Sequence, residues 1–99
     1  MDKKKFITRA KDILEEVCED GTKILLYNDN VYTLNFVSSN LFELITEEEK
    51  EKNILFYEYL NKLKESFEDI EENYNSIYND FEQELNNWYE YKLICIEER

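Results

Sequence analysis

The chain has 99 residues, 24 Asp and Glu against 12 Lys and Arg, a formal net charge of −12, and neither histidine nor proline. That length suits one domain with one modest core, and a composition 42% hydrophobic and 15% aromatic argues against disorder. The charge disfavours direct binding to nucleic acid or anionic membranes, which runs on Lys and Arg, and favours a basic partner; solubility alone is the plainer use of such acidity.

The start, Met1-Asp2-Lys3-Lys4-Lys5, is basic but lacks the apolar core of a signal peptide. No apolar run approaches the roughly 20 residues that span a bilayer, so a cytosolic protein is expected. Over residues 2–20 the apolar positions Phe6, Ile7, Ala10, Ile13, Leu14, Val17 and Cys18 follow helical spacing, and Gly21 stands where a left-handed cap would end that helix. Lys3, Lys4, Lys5, Arg9 and Lys11 come early and Glu15, Glu16, Glu19 and Asp20 late, against the helix dipole at both ends. Cys18 and Cys95 each lie beside apolar neighbours and read as small reduced core residues, with a disulfide as the alternative.

Residues 22–27 and 31–38 are β-rich runs around Asn28-Asp29-Asn30, which predicts a β-hairpin whose Tyr32, Leu34 and Phe36 face the core. Ser38-Ser39-Asn40 offers caps for a short helical turn through Leu41, Phe42, Leu44 and Ile45. Thr46 with Glu49 forms a capping-box pattern, so a helix is expected from Glu47.

Phe56, Leu60, Leu63, Phe67, Ile70, Tyr74, Ile77, Phe81 and Trp88 then hold one heptad register, broken only at Glu84. A straight helix over the whole stretch would be about 65 Å long, more than this chain can cover. Asn73, Asn75, Ser76 and Asn79 are weak helix formers clustered where a break is convenient. Two helices, 47–72 and 76–90, are therefore predicted, with one long helix as the alternative. Residues 89–96 alternate and suggest a third strand beside the hairpin. The expected class is α+β: an N-terminal helix, a β-hairpin, two C-terminal helices and a possible last strand.

Absence of histidine removes the commonest general base and metal ligand, and with it Ser-His and Cys-His nucleophiles. A single glycine rules out a glycine-rich phosphate loop, and the cysteines have no zinc-type spacing. No catalytic residue, metal site or cofactor is assigned. The informative stretch is 65–91, which carries Glu65, Glu68, Asp69, Glu71, Glu72, Asp80, Glu82, Glu84 and Glu90 and no Lys or Arg. Acids three or four residues apart repel by a few tenths of a kcal/mol per pair, whereas a surface built only for stability would intersperse Lys. On a helix they recur every 4.5–6 Å or so, comparable with the phosphate spacing of a nucleic-acid strand, roughly 3.4 Å along the axis.

In size, charge, the missing His and Pro, and the acid-and-tyrosine run Glu71-Glu72-Asn73-Tyr74-Asn75 through Asn79-Asp80-Phe81-Glu82, the chain resembles small acidic inhibitors of phages and mobile elements. These include anti-CRISPR proteins and anti-restriction DNA mimics. The resemblance covers composition and the C-terminal half, and it has no residue-by-residue motif. It implies an inhibitor, not an enzyme, that binds a basic nucleic-acid-binding effector at the surface meant for phosphates, with no nucleic acid bound directly. The expected partner-binding residues are Glu65, Glu68, Asp69, Glu72, Asp80 and Glu82, with Tyr78 as an exposed anchor. An immunity protein or antitoxin for a basic nuclease toxin would use the same physics. A third reading is a structural homodimer through the heptad seam, against which stand its aromatic positions, which fit a two-stranded coiled coil poorly; the chain is expected as a monomer or homodimer.

Overall fold

The N-terminal segment is β-structure, not helix. In a computed structural model that describes residues 3–99, β1 (Lys5–Arg9) and β2 (Leu14–Val17) occupy the stretch read as helical; Met1 and Asp2, the latter opening the expected helix, lie outside the described residues. Asp12, at φ 67°, turns the chain between the two strands. Of the charges that would have opposed a helix dipole, Arg9 of β1 now donates from its guanidinium to Glu15 of β2 at 2.6 Å. Phe6, Ile7 and Thr8 also favour a pleated backbone over a helix.

The other elements are β3 (Lys23–Tyr27), β4 (Asn30–Leu34), α1 (Phe36–Leu44), β5 (Lys50–Glu51), α2 (Lys52–Lys64), a 3₁₀ turn at Glu71–Asn73, α3 (Tyr74–Glu90) and β6 (Ile94–Glu98). They form two three-stranded antiparallel sheets, β5-β1-β6 and β2-β3-β4. The mixed α+β class holds, but the expected element order does not. Gly21 is left-handed (φ 88°) as expected, yet it turns β2 into β3 rather than capping a helix, and an added Cβ would meet Phe36 Cδ2 at 2.6 Å.

The β3–β4 hairpin is present, with a tighter turn than expected. Asn28 and Asp29 both adopt positive φ, and Asn30 already pairs with Tyr27; Asn and Asp tolerate this conformation as few other residues do. Leu25 and Leu34 are buried, while Tyr32 is half-buried against Tyr91. Phe36 is 42% exposed, because Asn35 ends the strand by capping α1, its Oδ1 accepting from Ser38 N at 2.8 Å. Helix α1 thus starts ahead of Ser38-Ser39-Asn40, and Ser38 and Ser39 are buried inside it. The outer face of the hairpin sheet exposes Leu14, Leu26 and Val31 in one cross-strand row.

The Thr46 capping box does not open a helix. Lys50 and Glu51 pair with β1, so α2 begins only at Lys52, with the Glu51 carboxylate accepting from Ile54 N. Two helices do follow, but the break lies over 65–70, where Asp69 takes φ 60° and Ile70 is buried. The weak formers Asn75, Ser76 and Asn79 are exposed within α3, where burial of Phe81, Leu85 and Trp88 outweighs their propensity. Phe67, in the break, and Tyr74, at the start of α3, are in register with the seam yet exposed. Phe56, Phe81 and Trp88 are buried within the chain, as intramolecular packing of the seam requires.

The last strand begins after α3 ends and pairs with β1, not with the hairpin. Of the two cysteines, both free, Cys18 is half-buried and Cys95 exposed, so neither is the core residue expected. No helix among the described residues is long and apolar enough to cross a membrane. Gly21→Ala is expected to lose about 1–2 kcal/mol, the cost of an L-residue in a left-handed position, read as a lower urea midpoint with an unchanged slope.

Candidate partner-binding cleft

Helix α3 is oriented by Phe81, which is 1% exposed and packs on Phe56 and Tyr59 of α2 at centroid distances of 4.9 and 6.1 Å. At about 100° of turn per residue, this single direction places Asp80 and Glu84 on one flank of the helix and Tyr78 and Glu82 on the other. The acids predicted as one stripe are thereby divided.

On the second flank, Lys52 Nζ donates to Glu82 Oε2 at 2.8 Å. That hydrogen bond, reinforced by the Lys52 charge, Tyr78 and Lys5, holds the Glu82 carboxyl below the usual carboxylate range despite some desolvation. Tyr78 is half-buried with its ring edge-on to Phe56 at 4.9 Å, and it shares a hollow with Lys3, Lys4, Lys5 and Lys52. It is therefore not the exposed anchor expected, and Glu82 is already paired.

On the first flank, Asp80 and Glu84 face an open cleft of about 670 Å³ between α3, the start of α1, the end of α2 and the 65–70 connection. Glu68 joins them from that connection, and no Lys or Arg among the described residues lines the cleft. Leu63, Phe67, Ile70 and Ile77 supply apolar surface. Ser38, brought 46 residues along the chain to face α3, donates to Glu84 Oε1 at 2.6 Å and fixes that carboxylate. Tyr59 lies at the base; burial first, then the charges of Glu84 and Asp80, push its phenol up to about 12, so it stays a neutral hydroxyl.

Glu65, Asp69 and Glu72 are exposed on or next to the connection, outside the cleft lining. Glu65 sits at the C-terminal cap of α2, where a carboxylate opposes the helix dipole, while Glu71 and Glu72 precede α3, where one is favoured. Lys64 reaches Glu71 at 3.9 Å, but both are well exposed and such a pair adds little. Of the seven expected residues, Glu68 and Asp80 line the cleft, Glu65, Asp69 and Glu72 stand beside it, and Tyr78 and Glu82 lie across the helix.

Glu84, Tyr59 and Ser38 were not anticipated as site residues. Glu84 alone had a signal, a carboxylate interrupting an otherwise apolar heptad. No cluster of three or more His, Cys, Asp or Glu suited to a metal ion occurs among the described residues. Comparison with family models, curated proteins and solved structures gave no match.

The Lys52–Glu82 pair predicts a pH signature. A carboxyl lowered in the fold stabilises it above the ordinary value of 4.5, and this contribution is lost as pH falls through and below that value. Glu82→Gln should cost up to about 1 kcal/mol at pH 7, with the gap to the parent chain narrowing steadily in urea titrations as pH falls below 4.5.

Proposed function

We propose that this chain is a small inhibitor, acting in the cytosol by occupancy alone, that binds a basic nucleic-acid-binding protein with its carboxylates where the partner takes phosphates. The observation that carries this reading is the gathering of Glu65, Glu68, Asp69, Glu71 and Glu72 on and beside the helix connection, exposed and with Lys64 the one cation paired there among the described residues. Among the acids elsewhere, Glu15, Glu43, Glu49, Glu58, Glu82 and Glu97 have cationic partners. Concentrated charge at one end steers a basic partner and repels acidic ones. The break over 65–70 makes this a compact cluster, suited to a short run of phosphates rather than a long duplex.

The chain is used to capture its partner from a host lysate, and a short DNA or RNA duplex then competes for the captured protein. The duplex should displace it, and the double change Glu68→Lys, Glu72→Lys should weaken capture at least tenfold with unchanged circular dichroism. Capture that survives both would overturn the proposal.

A further inference from the structure

We infer that the cleft between α3, the start of α1 and the 65–70 connection receives an arginine side chain of the partner, Asp80 and Glu84 accepting from its guanidinium. The inference rests on the proposed binding of a basic protein and specifies how one of its residues is held. Two independent observations point to a cationic occupant with this shape.

The first is charge combined with form. Glu68, Asp80 and Glu84 converge on a space that no cation lines among the described residues, and the Ser38 hydroxyl already positions Glu84. Leu63, Phe67 and Ile77 flank the same space, a lining for the three methylenes of an arginine stem. The second is Tyr59. It is 5% exposed and lines the cleft, yet no described residue hydrogen-bonds its hydroxyl. Among the described residues Arg9 Nε is the one fully enclosed side-chain polar atom without a partner, so the phenol oxygen opens onto the cleft. A phenol that lines the same cleft as these carboxylates can accept from a donor that also serves them. Guanidinium has five donors in a planar fork, stacks on aromatic faces and sheds water readily; an ammonium is a compact, strongly hydrated point charge.

The experiment is an amide NMR titration of the whole chain with the peptide acetyl-Gly-Ser-Arg-Ser-Gly-amide, repeated with lysine and with citrulline in place of arginine. Saturable shifts are expected at Ser38, Leu63, Ile77 and Glu84, at least threefold tighter for arginine than for lysine and absent for citrulline. Asp80→Asn and Glu84→Gln should each weaken binding at least fivefold and Tyr59→Phe at least twofold, while Glu16→Gln on the far sheet leaves it unchanged; the amide spectrum of each variant reports its fold. Shifts confined to residues 65–72, equal affinity for lysine, or indifference to Glu84→Gln and Tyr59→Phe would overturn the assignment. A silent cleft in a chain that still captures its partner overturns this inference alone; a responsive cleft in a chain whose capture ignores duplex and charge reversal overturns the proposed function alone.

Discussion

The packing of Phe81 against Phe56 and Tyr59 is the constraint on which the functional surface depends. An α-helix is rigid about its axis, so one buried aromatic side chain sets the direction of all the others. With Phe81 inward, Asp80 and Glu84 must face the cleft, and Tyr78 and Glu82 must face Lys52. Leu85 and Trp88 hold the same rotation further along, Trp88 edge-on to Phe42 of α1 at 5.1 Å. Because α1 is docked on that ring, Ser38 lies within reach of Glu84.

A chain at −12 must hold together against its own repulsion, and Arg9, Lys23, Lys50 and Arg99 are placed where each meets more than one acceptor. Arg9 donates to Glu15 and to the Phe42 carbonyl, and stacks 4.2 Å above the Phe42 ring. Lys23, with its side chain 3% exposed, lies 3.7 Å from Glu15 and 3.5 Å from Glu43, which also accepts from Lys62 at 2.8 Å. The hydrogen bond from Lys62 keeps Glu43 ionised more readily than an ordinary carboxyl, against its desolvation. This network links β1, β2, β3, α1 and α2, and removing one member would strand a charge that is costly to bury alone. Outside the network, Glu65, Glu68, Asp69, Glu71 and Glu72 crowd the α2–α3 connection.

Several elements were readable because their causes are local. Asn28-Asp29 needs no tertiary help to favour a left-handed turn, and the hairpin followed. Gly21 was read as left-handed for a reason that proved wrong, since glycine reports the backbone conformation and not the elements on either side. The N-terminal helix failed because Phe6, Ile7, Ala10, Ile13, Leu14, Val17 and Cys18 fit helical spacing while Ile7 buries in one sheet and Leu14 and Val17 lie exposed in another. The reversed charges along that segment were the warning: they oppose a helix dipole, whereas Arg9 of β1 meets Glu15 of β2 across the two sheets.

Residue by residue, the amino-acid sequence determined the acidity, the absence of histidine chemistry, the hairpin, the two C-terminal helices and the aromatic anchors of α3, because composition, turn preference and periodicity are properties of neighbouring residues. Only the tertiary structure decided where the carboxylates go. The break lies over residues 65–70, where Asp69 takes φ 60° and Ile70 is buried, and Glu82 was taken by Lys52 from 30 residues away. Glu84, Ser38 and Tyr59 come from three different helices, so the cleft exists only once α3 has packed on Phe56 and turned its acids to face α1.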